Sequence, residues 1–142
     1  MNSIKKITDI EMKARLSTLW IFVLFNIVVR DIHELFRSGL LQEMMTGTVN
    51  GTKITEELML MGAIPMETLI FMILLSRVFK RSVSRWPNIV VAIMGIAYTL
   101  GNGANDLDDV FFTIVEIIAM SVIVWCAWTW RKQETEVDAV FQ

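Results

Sequence analysis

Five side chains of this 142-residue chain are of a type and placement that could do chemistry in an apolar setting: Asn26, Arg30, His33, Glu67 and Glu116. Arg30, Glu67 and Glu116 interrupt runs otherwise free of charge. An ionisable group near the centre of a bilayer costs about 2.5 to 3.5 kcal/mol on insertion scales, so it is normally turned inward and partnered. An arginine facing carboxylates suits three kinds of chemistry: holding a small polar solute, carrying a proton, or general acid-base work on a lipid-like or quinone-like substrate. Asn26 lies one turn before Arg30, and with His33 and Arg37 it follows i, i+3, i+4 spacing, so the first helix turns a polar face inward. Asp31 and Glu34 flank that face, and the four-residue step from Arg30 to Glu34 permits a pair within the helix. One arginine among several carboxylates is unbalanced. Either some carboxylates reach water, or one holds a proton at neutral pH.

The elements that must position these groups follow from composition and run length. Hydrophobic residues make up 54% and charged residues 20%, against the roughly 25% charged of soluble domains. The apolar excess is concentrated in uncharged runs at Leu16 to Val29, Leu58 to Met66, Thr68 to Ser76, Trp86 to Asn105 and Ile117 to Trp130. This pattern excludes a disordered chain, a basic nucleic-acid module and, with Cys126 the single cysteine, a disulfide scaffold. A spanning helix needs about 20 mainly apolar residues. Four segments qualify, near 16–36, 57–79, 86–104 and 109–130. The expectation is therefore an all-α, polytopic membrane protein: one four-helix transmembrane domain over 1–142. The first apolar stretch outlasts a cleavable signal and no Ala-x-Ala site follows, so it is expected to remain.

Lysine and arginine set the orientation. Lys5, Lys6, Lys13 and Arg15 precede the first span, Arg77, Lys80, Arg81 and Arg85 join the second to the third, and Arg131 and Lys132 follow the fourth; Arg37 and Lys53 lie on the opposite side. The positive-inside rule predicts that both termini and the Ser76 to Arg85 connection are cytoplasmic. Trp20, Trp86, Trp125, Trp128 and Trp130 fall near the same face, as an interfacial belt would place them. With that topology the depths of the charges can be compared. Arg30 is six residues from Phe36, Glu116 seven from Asp109, and Glu67 ten from Glu57, which at about 1.5 Å per residue agree within roughly 6 Å. Arg30 is expected to pair with both Glu116 and Glu67.

The first external segment contains Asn50-Gly51 between β-branched residues, the strongest short hairpin signal, so a small two-stranded flap or a simple surface turn is expected. Asn50-Gly51-Thr52 also matches a glycosylation sequon, common by chance. Leu40 to Met45 reads as a short amphipathic turn. The acidic stretch from Gly101 to Asp109 lacks the frame of a calcium loop, and its aspartates are read as stabilising the start of the fourth helix. Pro65 frees the carbonyl of Met61 two residues before Glu67. Asn88, Ala92, Gly95, Thr99 and Asn102 form a small and polar stripe, the usual surface for close helix contact in lipid; Thr113 and Glu116 continue the theme on the fourth helix. His33 is the only histidine and caps the end of its helix in the simplest reading; a bis-histidine haem is excluded, and the ten scattered methionines read as packing. No nucleotide, zinc or Ser/His/Asp motif is present, so no cofactor and no metal is expected.

Leu16 to Asn26 (LSTLWIFVLFN), Met45 to Gly51 (MTGTVNG), and Leu74 to Val78 (LLSRV) with Arg85 to Ile89 (RWPNI) together resemble a bacterial family of small four-helix membrane proteins of unknown function. The likeness runs from the first span to Trp130. It implies a bacterial inner membrane and four spans, and supplies no substrate, cofactor or catalytic residue. It also implies acidic residues after Asn26, from which Arg30 departs. Three functions fit: a homo-oligomeric binding or transport protein whose pocket of Asn26, Arg30, Glu67 and Glu116 takes a small solute or proton; a structural or accessory subunit in which these groups only fix helix register; and an enzyme with Glu67 or Glu116 as general acid or base. Four spans rarely enclose a sealed path, which is why self-association is expected.

Overall fold

The structure, a computed structural model, describes residues 2–49, 51–103 and 106–130. Asn50, Ala104, Asn105, Arg131 and Lys132, which figured in the turn, loop and charge readings above, lie outside them. The elements in chain order are α1 (Asn2–Glu34), α2 (Leu40–Met45), β1 (Thr48–Val49), β2 (Thr52–Lys53), α3 (Glu56–Val78), α4 (Arg81–Asn102) and α5 (Leu107–Thr129). The segments Ile7–Glu34, Glu56–Val78, Arg81–Gly101 and Leu107–Thr129 are each long and apolar enough to cross a membrane. The all-α expectation is met, and the small hairpin allowed for in the first connection is present.

Two helices begin well before the spans expected within them. α1 begins at Asn2 rather than near 16, because no proline or glycine stands before Leu16 to end the helical hydrogen bonding, and Asp9 and Lys13 pair one turn apart at 3.7 Å. α4 begins at Arg81 and runs through Pro87, whose missing N–H leaves the carbonyl of Val83 without its helical donor. α3 starts where the Thr55 hydroxyl accepts from the Leu58 N–H (3.3 Å), with Glu56 and Glu57 in the first turn at the positive end of the dipole. It continues without interruption through Pro65. The hairpin pairs Thr48 with Lys53 and Val49 with Thr52. Gly51, at φ 74°, takes the left-handed backbone that a two-residue turn demands.

In the bundle, α1 packs against α3 and α5, α4 packs against α5, and α3 meets α4 less extensively. The core joins Leu16, Trp20 and Val23 of α1 to Met72 and Leu75 of α3, Ile89 and Ala92 of α4, and Ala119, Met120, Ile123 and Ala127 of α5. Where α4 meets α5, Gly95 leaves room for the end of the Met120 side chain: a Cβ there would stand 2.6 Å from Met120 Sδ. The small and polar stripe is thus a packing surface, with Asn88, Ala92 and Thr99 buried.

Candidate functional site

One carboxylate is wholly inside the bundle. Glu116, on α5, has no exposed surface and collects donors from two other helices. Asn26 Nδ2 donates to Oε1 at 3.2 Å, Arg30 Nη1 to Oε2 at 3.3 Å, and Thr99 Oγ1 to Oε2 at 3.3 Å. Asn26 Nδ2 also donates to the Phe112 carbonyl (3.3 Å), one turn earlier on α5. α1 presents Asn26 and Arg30 one turn apart, α4 presents Thr99, and the three helices are held around one charged group. The Arg30 side chain keeps 19% of its surface exposed, so the pair is sealed from one side only. Three donors from two helices hold the Glu116 carboxyl in one place. Thr113, three residues before Glu116 on the same helix face, carries a buried hydroxyl with no hydrogen-bond partner among the described residues.

Of the residues singled out in the sequence, Asn26, Arg30 and Glu116 come together. Glu67 does not. It is exposed on α3, and no hydrogen bond or ion pair joins it to the described residues, so the expected Arg30–Glu67 pairing is replaced by an exclusive Arg30–Glu116 pair. The depth arithmetic put Glu67 at the right level but not on the right side of its helix. Glu34 pairs with Arg37 instead of Arg30, and Arg37 Nε lies 3.9 Å from Asp106. These carboxylates, Glu34 foremost, hold the half-exposed Arg37 guanidinium above its already high pKa. Asp106 sits at the N-cap of α5 without a side-chain capping bond; Asp108 and Asp109 occupy the first turn, where acidic groups complement the dipole. His33, in the last turn of α1, is exposed and meets Phe112 and Phe36 edge-on, at 5.6 and 6.3 Å between ring centroids.

A second polar cluster was not foreseen. Asn88 of α4 is fully buried; its Oδ1 accepts from Trp20 Nε1 of α1 (2.6 Å) and from Ser76 Oγ of α3 (2.9 Å). Its Nδ2 donates to the carbonyl (2.7 Å) and hydroxyl (3.0 Å) of Ser84. Trp20 is therefore a core residue and no part of an interfacial belt, which corrects that reading: its indole N–H has a buried acceptor. Trp86, Trp125 and Trp128 remain exposed, as a belt requires, while Trp130 is buried and donates to Asp9 at 3.1 Å.

At the same end of the bundle, Arg81 Nε donates to the Trp130 carbonyl (2.8 Å), and Arg85 donates to the carbonyls of Ala127 (3.2 Å) and Trp128 (3.3 Å). These are carbonyls that the end of α5 leaves without helical donors. The Arg85 guanidinium also lies 5.6 Å from the ring centroids of Trp86 and Trp128.

Two grooves lie away from Glu116. One, of about 510 Å³, runs between α1 and the α2–hairpin segment and includes Asp31, Ile32, Leu40 and Met44. The other, of about 370 Å³, is an apolar furrow between α1 and α5. Among the described residues no group of three or more His, Cys, Asp or Glu is arranged to hold a metal.

A family model, described as "Family of unknown function (DUF6326)", matches residues 5–137. No curated protein matches the chain, and no solved structure matches it.

Proposed function

The chain belongs to that family of unknown function, and from this premise we propose that it is a structural or accessory membrane subunit that assembles with further copies of itself in the lipid bilayer. The observation that carries this reading is the saturation of Glu116: a wholly buried carboxylate whose donors come from α1 and α4, arranged to hold helices together. The Asn88 cluster repeats the arrangement without a charge. Glu67, left uncovered on α3, supports assembly, since an ionisable group at membrane depth ordinarily faces protein. The distribution of lysine and arginine supports cytoplasmic termini, and the family resemblance supports a bacterial inner (plasma) membrane. The test is the double substitution Arg30→Met with Glu116→Leu. A register-fixing ion pair is replaceable by apolar residues, so the double variant is expected to keep its melting temperature and its oligomeric state in detergent. A lowered melting temperature in the double variant, or a monomeric unsubstituted chain, would sink the reading.

A second reading, binding or passage of a small solute or proton, is favoured by the Thr113 hydroxyl, buried without a partner one turn from Glu116. In that case Glu116→Gln and Glu67→Gln change proton or solute flux in liposomes while the helical circular-dichroism spectrum is kept. Unchanged flux in both variants removes it.

A further inference from the structure

α3 differs from its neighbours in how little of it is used. Of its membrane-length window 11% is buried inside the protein, against 28% for α4 and for α5. The buried positions Met72, Leu75 and Ser76 lie toward one end, while Met59 to Pro65 are exposed on every side of the helix. Leu60, Ile64, Glu67, Phe71, Leu74 and Val78 follow one another at steps of four, three, four, three and four residues. That is the a and d spacing of a helix-pairing seam. Its five apolar members are 52% to 67% exposed, and Glu67 stands nine residues from the fully buried Ser76, about 180° around the helix at 3.6 residues per turn. The seam therefore points directly away from the protomer's own core.

We infer that this seam of α3 is the contact with a second copy of the chain, α3 lying against α3 across a two-fold axis. The inference rests on the self-assembling reading above and names its interface. A two-fold contact sets identical residues at the same depth, so a periodic apolar stripe complements itself, and the two Glu67 carboxyls meet at its centre. Side by side across the axis they face protein at a depth where lipid offers a polar group nothing. A single polar residue in an apolar seam fixes register and oligomer state. The area is also of the right order. Five large side chains more than half exposed offer on the order of 500 Å², and with Glu67 and its flanking residues the stripe approaches the roughly 800 Å² per partner of a standard interface.

The experiment is a cysteine scan of α3 in the full chain, in native membrane vesicles, with Cys126→Ser as background. Leu60→Cys, Ile64→Cys, Glu67→Cys, Phe71→Cys and Leu74→Cys are expected to give cross-linked dimer on oxidation, and Gly62→Cys, Leu69→Cys and Met72→Cys to give little. Glu67→Leu should weaken dimerisation about three- to tenfold by energy transfer between labelled copies in liposomes, with Glu67→Gln retaining it, because an amide pair still hydrogen-bonds across the axis. A dimer that cross-links without this periodicity, or is indifferent to Glu67→Leu, overturns the α3 interface and leaves self-assembly standing. A monomer in vesicles overturns both.

Discussion

The two buried polar clusters hold overlapping sets of helices in different ways. Around Asn88 the groups are neutral and the bonds run from 2.6 to 3.0 Å; around Glu116 a charge is enclosed and the bonds run from 3.2 to 3.3 Å. The neutral cluster ties α1, α3 and α4, and the charged one ties α1, α4 and α5. A neutral hydrogen bond contributes about 0.5 to 1.5 kcal/mol net, and losing one partner costs about 1 to 3 kcal/mol for each group stranded. A charged cluster behaves asymmetrically: removing one partner is severe, and removing both can be nearly free. The two regions therefore fasten the bundle with comparable geometry but different tolerance to change.

The sharpest test of that contrast is Arg30→Met, which leaves Glu116 buried without its cation. A loss of about 3 to 5 kcal/mol is expected in unfolding followed by circular dichroism, and the gap between this variant and the Arg30→Met, Glu116→Leu double variant measures the asymmetry. Asn88→Leu should cost less, about 2 to 4 kcal/mol, by stranding the Trp20 indole and the Ser76 hydroxyl. Trp20 fluorescence should shift as its hydrogen bond is lost. Gly95→Ala, between the two clusters on the α4 stripe, forces Met120 aside and is expected to cost about 1 to 3 kcal/mol with a lowered Tm. Thr99→Val removes one of three donors to Glu116 at nearly constant shape; about 1 kcal/mol is expected. If Thr99→Val proves as damaging as Arg30→Met, the charge is not what distinguishes the two regions.

Much of this arrangement was legible in the sequence. Run lengths located four helices long and apolar enough to cross a membrane, and i, i+4 spacing placed Asn26 and Arg30 on one face, where both meet Glu116. The stripe on α4 was recognisable as a packing surface, and Thr99 was in it, though nothing in the pattern named Glu116 as its acceptor. Rise per residue gives depth and says nothing of rotation, which is why Glu67 sat at the level of Arg30 in the arithmetic and on the far side of α3 in the structure. Its position 180° from Ser76 was readable only once Ser76 was known to be buried. Trp20 was misread because a tryptophan near a helix end resembles an interfacial one. What distinguishes it is an acceptor 68 residues away, and no local signal carries that information.

That long reach bears on how the bundle is built during synthesis. Trp20 waits for Asn88, Arg30 for Glu116 at a separation of 86 residues, and Asp9 for Trp130 at a separation of 121. Ser76 and Asn88 are only 12 apart, so the α3–α4 pair can be latched as soon as it emerges. Each contact that α1 makes through these side chains therefore waits on a helix made later, the first on α4 and the others on α5 and the residue that follows it.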